Sequence, residues 1–287
     1  MTRFFTRAGG YQVASLVLTS FRLDGGAMFG SVPRVLWQRH HPADPENRIG
    51  LAARVLYLEG NGRRVLVDAG LGEKFGPRER AMYAVSPAEE SGLPFRWEAL
   101  TDLLLTHLHF DHAGGATRLE QPSSGPGGDP PRARARAPGA RHHLQRLNWD
   151  LARAPGPRER ASYLPDNVKP LEDVHLELAD GEAEPLPRVW VEPSHGHTRG
   201  MQWVRIGSGR EAVVFPADIV PTATHVHLPF VMGYDMCVET LLSEKAAFLE
   251  KAAREGWTVV FAHDELVAAA RVVRSETGKF SLGDVVA

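Results

Sequence analysis

Apolar positions along this chain cluster in short runs separated by polar and glycine-containing breaks. Residues 11–18 form one such run, interrupted only by Gln12 and Ser15, and predict a first strand. Residues 53–58 and 64–67 predict two more, flanking Glu59-Gly60-Asn61-Gly62, whose glycines and asparagine suit a tight hairpin. Further strand-like runs lie at 103–105, 188–192, 212–215 and 257–262, the last rich in valine. Between 238 and 255 the period lengthens: Leu242, Ala246, Leu249 and Ala253 share one helical face, with Gly256 just past the end. Residues 121–140 carry Pro, Gly, Ser and Arg without apolar periodicity. They predict an exposed loop inside a single domain spanning 1–287.

Polar chemistry gathers at the ends of these runs. Directly after residues 103–105 comes Thr106-His107-Leu108-His109-Phe110-Asp111-His112-Ala113-Gly114-Gly115, four metal-binding side chains within six positions. Imidazole nitrogens and a carboxylate suit Zn²⁺ and similar first-row ions, which take N and O ligands in a compact shell. In a loop leaving a strand, His107 and His109 can point one way while Asp111 and His112 turn to a second point. A run of solvated histidines is the ordinary alternative, but clusters of this kind read as metal or catalytic sites. The remaining ligands have candidates in order. His197, in Ser194-His195-Gly196-His197-Thr198, follows the run at 188–192 and offers a third nitrogen to the first ion. Asp218 closes Phe215-Pro216-Ala217-Asp218, where a carboxylate could bridge two ions. His263 ends the run at 257–262 and can complete the second site.

His-x-His-x-Asp-His, then Gly-His-Thr, then Ala-Asp, then a late His resembles the metallo-β-lactamase superfamily in its binuclear hydrolase form, over nearly the whole chain. The resemblance implies an α/β fold, a four-layer αββα sandwich with metals in the cleft between two sheets. It implies one ion on His107, His109 and His197, a second on Asp111, His112 and His263, and Asp218 between them. Zinc is the expected ion. Mn, Fe, Co or Ni are alternatives, since metal availability decides occupancy as much as ligand type does. Asp68, in Val65-Leu66-Val67-Asp68-Ala69-Gly70, matches the superfamily's first motif, whose carboxylate supports the ligand loop; a plain turn residue ahead of Gly70 is its other reading. A flavo-diiron oxidoreductase would carry Glu where His109 stands, together with a flavin domain for which this chain has no room. Antibiotic-hydrolysing members usually lack the carboxylate at Asp218, and RNA-processing members carry a large insertion.

A narrower resemblance lies in residues 23–33 with Leu36-Trp37, and in Asp218…Pro221-Thr222…His225…Tyr234-Asp235. Both segments are similar to the YtnP-like quorum-quenching lactonases, which open N-acyl-homoserine lactones, and partly to methyl-parathion-hydrolase-like enzymes. The resemblance implies a metal-dependent hydrolase, a lactonase first and a phosphotriester or aryl ester hydrolase second, acting through a hydroxide held between the ions. A non-catalytic metal-binding sensor is the reading from another class. Asp111 and Asp218 are the candidates for proton transfer. Pro221 stands where the best-known lactonases place a tyrosine, and Tyr234 is the candidate to contact the substrate carbonyl instead. Met28, Phe29, Trp37, Phe230, Met232 and Tyr234 are either an apolar groove for an acyl chain or ordinary core residues. His225 and His227 are either pocket groups or a hydrogen-bonded loop pair, and His142 and His143 are expected at the surface.

Composition narrows the field further. The formal net charge over 287 residues is −2, which argues against a nucleic-acid surface. Arg132, Arg134, Arg136 and Arg141 read as a solvated charge run. Cys237 is the only cysteine, so no intrachain disulfide forms; a reducing, cytoplasmic setting and a small core position for Cys237 are expected. The run at 11–18 is too short for a membrane helix and lacks the small-residue cleavage pattern of a signal peptide. A small lactone or ester is the expected partner, with neither nucleic acid nor membrane, and the resemblance points to a homodimer.

Overall fold

The computed structural model describes residues 4–87, 92–120 and 131–287. Strands β1 (Phe4–Ala8), β2 (Tyr11–Asp24), β3 (Arg48–Gly60), β4 (Arg63–Val67) and β5 (Asp102–Leu104) lie side by side in chain order. The short pair β6 (Thr117–Leu119) and β7 (Ala133–Ala135) stands apart, and β8 (Arg141–Gln145) and β9 (His175–Ala179) complete the first sheet beyond β5. The second sheet runs in chain order through β10 (Ala183–Leu186), β11 (Val189–Ser194), β12 (Met201–Ile206), β13 (Val213–Phe215), β14 (Thr258–Val260), β15 (Ala269–Arg274) and β16 (Phe280–Val285). Strands β4, β5, β8 and β9 are parallel to one another, as are β13 and β14.

Alternation along the central strands explains the layering. In β3 and β4, Leu56, Leu58, Val65 and Val67 face the second sheet and meet Val191, Val204, Val214 and Phe215 in one core. Their neighbours Val55, Tyr57 and Leu66 face outwards and pack with Trp97, Trp149, Leu151 and Leu171 from the helical layer. Both faces are buried, which is why residues 53–58 read as a nearly unbroken apolar run. A fully buried Val or Leu contributes roughly 1.5–3 kcal/mol over its exposed form, so a one-residue slip of β3 would cost several such terms. On the far side, the long helix Val238–Glu255 covers the second sheet through Leu241, Phe248, Leu249 and Ala252. The result is an αββα order of layers.

Local details differ from the expectations. The hairpin turn falls at Asn61–Gly62 as the sequence suggests, while β2 and β3 run well beyond residues 11–18 and 53–58. Contact with the sheet rotates the helix face by about one residue, centring it on Leu241, Lys245, Phe248 and Ala252. Of the expected loop, residues 121–130 lie outside the described residues, and 133–135 pair with 117–119 as strand β7. Arg136 is buried with its guanidinium 4.5 Å from the Trp97 ring centroid, and Arg141 meets Asp102 at 3.3 Å, so the arginine run is not uniformly solvated. His142 and His143 are buried, contrary to a surface reading, because β8 is an interior strand. His143 Nε2 donates to Asp102 at 2.8 Å. Cys237 is exposed and not a core residue; it precedes the long helix, and its thiol meets Thr240 Oγ1 at 3.0 Å. Among the described residues no helix is long and apolar enough to cross a membrane.

Candidate metal centre

The parallel strands deliver their carboxyl ends to one edge of the sandwich. Asp68 follows β4, the His107–His112 loop follows β5, His197 follows β11, Asp218 follows β13 and His263 follows β14. Backbone bonds tie the two sheets together there: Gln202 N donates to Thr106 O at 2.9 Å and Ala52 N to His263 O at 3.1 Å. The glycines after the histidine loop are a packing requirement. A Cβ on Gly114 or Gly115 would lie 2.0 Å from the Leu71 or Ala69 carbonyl oxygen, so only glycine lets the Asp68 turn press against the loop. Two non-glycine residues there adopt left-handed backbone, Asp68 (φ 60°) and Ala217 (φ 47°), strain of the kind that re-aims side chains at functional sites.

All seven sequence candidates converge in two groups. His107, His109, His197 and Asp218 each place a ligand atom within 4.8 Å of the others, and Asp111, His112 and His263 do the same. Asp218 faces both. Its Oδ2 lies 3.2 Å from His197 Nε2 and 3.9 Å from His107 Nε2, while Oδ1 lies 3.1 Å from His263 Nε2 and 3.4 Å from His112 Nε2.

The outer nitrogens show what the inner ones are. His112 Nδ1 donates to Asp68 Oδ2 at 2.8 Å, His197 Nδ1 to Asp235 Oδ1 at 2.9 Å and His263 Nδ1 to the Ala52 carbonyl at 2.9 Å. Thr106 Oγ1 gives its proton to Asp68 and accepts from His107 Nδ1 at 3.1 Å. A neutral imidazole that donates through Nδ1 presents a lone pair at Nε2. Yet His112 Nε2 and His263 Nε2 face each other at 3.0 Å, and His197 Nε2 faces His109 Nδ1 at 3.2 Å. Among the described residues, His107 Nε2 and Asp218 Oδ1 are buried without a hydrogen-bond partner. Lone pairs and a carboxylate aimed at shared points fit cations, so these His/Asp clusters are suited to divalent metals.

Electrostatics divide the rings differently: burial lowers His197 too, but Asp218 and Asp235 outweigh it and raise this ring, unlike its neighbours His107 and His109. Burial pulls His107 and His109 well below the usual imidazole range, and neighbouring imidazoles pull them further. At His112 burial also lowers the pKa, but Asp218, Asp111 and Asp68 outweigh it and raise the group well above its ordinary value. Burial would raise Asp218, but His112, His197 and His263 hold it well below the usual carboxylate range.

A cavity of about 280 Å³ opens on these groups. Leu23, Met28, Leu51, Phe110 and Met232 give it apolar walls, and Tyr234 stands at its edge, 40% exposed. Burial, with Asp24 and Asp111 nearby, raises the Tyr234 phenol, so it remains a donor. Of the other groove candidates, Phe29 and Trp37 are core residues stacked at 5.5 Å behind the cavity, and Phe230 packs edge-on against Phe29. His225 does not reach the ligands. It meets Thr222 Oγ1 at 2.7 Å and donates to the Met28 carbonyl at 2.9 Å, and burial lowers its pKa to about 3. His227 is exposed, and His195 accepts from Gly200 N at 3.1 Å.

Three residues escaped the sequence reading in their roles. Asp235 orients His197, although it lay inside a quoted motif. Glu244, on the long helix, accepts from Ser194 Oγ at 2.6 Å, His195 N at 2.8 Å and Gly196 N at 3.1 Å, holding the His197 loop across about fifty residues of chain. Glu159 lines the cavity. Such long-range contacts leave no local pattern.

The Metallo-beta-lactamase superfamily model matches residues 49–263. Among solved structures, a probable metal-dependent hydrolase from Staphylococcus aureus is similar at 25% identity and TM-score 0.81, over 97% of this chain and 99% of that one. AidC, a dizinc quorum-quenching lactonase, is similar at 15% identity and TM-score 0.74, over 98% and 96%. An N-acyl homoserine lactone hydrolase with its product N-hexanoyl-L-homoserine at the catalytic metal center is similar at 19% identity and TM-score 0.66, over 92% and 95%. No curated protein matches the chain significantly.

Proposed function

This chain belongs to the metallo-beta-lactamase superfamily as a metal-dependent hydrolase, and we propose that within it the protein is a lactonase opening N-acyl-homoserine lactones. The observation that carries the reading is Asp218, whose two oxygens address the two ligand groups at the floor of an apolar-walled cavity. A sensor or binding module has no need of that shared carboxylate. The lactonases among the structural neighbours support the choice of substrate.

In this reading His107, His109 and His197 would hold one divalent ion and Asp111, His112 and His263 a second, with Asp218 available to both. Zinc fits the nitrogen-rich set. Bound ions would supply Lewis acidity, ionising water near neutral pH and polarising the scissile carbonyl. The chain's own residues do the rest. Tyr234 donates a hydrogen bond to the carbonyl oxygen of the lactone. Leu23, Met28, Leu51 and Met232 exclude water and hold the acyl chain. Asp111, the more exposed of the two central carboxylates (side chain 12% against 6% for Asp218), takes the proton released on attack and returns it to the alkoxide of the opened ring. The His112 and His197 rings are held in place by Asp68 and Asp235, so little reorganisation accompanies the reaction.

The test is proton release at constant pH from N-decanoyl-homoserine lactone and the metal-loaded protein. Ring opening that falls roughly a hundred- to a thousandfold in Asp218→Asn, the range for losing a central electrostatic group, supports the reading. No turnover by a protein with both ions bound would overturn it and turn attention to phosphotriesters and aryl esters.

A further inference from the structure

Glu159 is a buried carboxylate that the reaction scheme leaves unused. It is 7% exposed, sits in the turn closed by Glu159 N donating to Gly156 O, and lines the cavity beside His109 and His197. One oxygen, Oε1, accepts from Thr198 Oγ1 at 2.5 Å. Thr198 also meets the Tyr163 hydroxyl at 2.8 Å, and the Tyr163 ring packs on His109 at 4.7 Å, which fixes the carboxylate next to the first ligand group. Among the described residues no Lys, Arg or His forms an ion pair with it. The adjacent Arg158 turns away and donates to Gly233 O at 2.6 Å. Among the described residues no donor meets Glu159 Oε2, and this oxygen is left open to the cavity that the residue lines.

The wall of the cavity thus offers a carboxylate acceptor to a donor on the ligand. Carbonyl and ring oxygens of lactones, aryl esters and phosphotriesters are acceptors only, and a carboxylate repels them. An N-acyl-homoserine lactone carries one donor, the amide N–H beside the ring. We propose that Glu159 is a specificity-determining residue whose Oε2 accepts that N–H, selecting lactones that bear a secondary amide. The inference rests on the lactonase reading above and names the group that recognises its substrate.

The test pairs a change in substrate with a change in protein. The metal-loaded full chain is assayed with N-decanoyl-homoserine lactone and with its N-methyl analogue, which lacks the donor. For the unaltered protein, kcat/KM should be roughly ten- to a hundredfold lower for the N-methyl compound, the range expected for a hydrogen bond to a charged acceptor. In Glu159→Gln, which keeps an acceptor for Thr198, the two substrates should converge, with the loss in KM for the N–H lactone. Affinity for the opened product N-hexanoyl-L-homoserine, measured by calorimetry, should fall in parallel. Thr198→Val separates a structural role, since it breaks the Thr198–Glu159 bond but leaves the carboxylate. If Glu159 acted only through Thr198, both variants would lower both substrates by one factor, and the proposal would be overturned. Equal turnover of the two lactones by the unaltered protein would overturn it alone, whereas turnover of neither would remove the lactonase reading with it.

Discussion

Asp235 joins a candidate metal ligand to the substrate cavity: its Oδ1 accepts from His197 Nδ1 at 2.9 Å while its Oδ2 accepts from Met232 N at 2.7 Å. One carboxylate thereby sets the imidazole tautomer and the position of the loop carrying Met232 and Tyr234. Substituting Asp235→Asn removes the charge and puts a donor where an acceptor is required. Metal affinity at the His107/His109/His197 group should drop roughly ten- to a hundredfold, as for other orienting carboxylates. Competition against a chromophoric chelator measures it, and unchanged affinity would refute the orienting role.

Removing metal should destabilise the fold. The inward-facing lone pairs of His107, His112, His197 and His263 and the Asp218 carboxylate are then left to confront one another in a buried space. An ion that binds only the folded chain stabilises by about 2.7 kcal/mol at a hundred times its Kd. Thermal melts with and without chelator should therefore differ by several degrees, and re-addition of Zn²⁺ should restore the higher Tm.

Gly196 lets the His197 loop rest on the start of the long helix, since a Cβ there would lie 2.3 Å from Leu241 Cα. That contact is backbone against backbone and cannot be relieved by a rotamer change. Gly196→Ala should cost about 1–3 kcal/mol, the usual range for overpacking, and should shift the urea midpoint downwards. A midpoint equal to that of the unaltered protein would show that the loop and helix can separate freely.

Lys245 lies at the centre of the buried helix face, where its Nζ donates to the carbonyls of His227 (3.1 Å), Leu228 (3.3 Å) and Phe230 (2.5 Å). Burial lowers its pKa to about 7, against about 10.4 for an unfolded lysine. Between these values the unfolded chain binds more protons, so this group makes stability rise with pH from about 7 to about 10.4. Its contribution is complete above the upper value and lost as pH falls through the lower. Urea midpoints across pH 7–10 should follow that slope, and Lys245→Met should flatten it.

Much of the centre was legible because its chemistry is local. His107, His109, Asp111 and His112 fall in one loop, and Asp218 and His263 each end an apolar run, so spacing and residue type nominate them together. The Asp68 carboxylate was legible through its motif, and its bonds to Thr106 and His112 give that motif a physical content. Other expectations failed where burial depends on neighbours distant in sequence. His142 and His143 look like a surface pair until β8 is placed between β5 and β9. Phe29 and Trp37, which the sequence left open between groove and core, are settled as core only by their stacking on each other behind the cavity.

By itself the sequence determined the periodicities, the breaks and the set of metal-competent side chains, because helix period, strand alternation and donor type are properties of residues close along the chain. Only the tertiary structure decided that Asp68, Asp235 and the Ala52 carbonyl hold the outer N–H of His112, His197 and His263, which turns their other nitrogens inward. The same holds for Glu244 clamping the His197 loop and for Glu159 keeping one oxygen towards the cavity. These are contacts between residues about forty to two hundred positions apart. They arise from how two sheets and their covering helices meet at one edge, and no local pattern encodes that meeting.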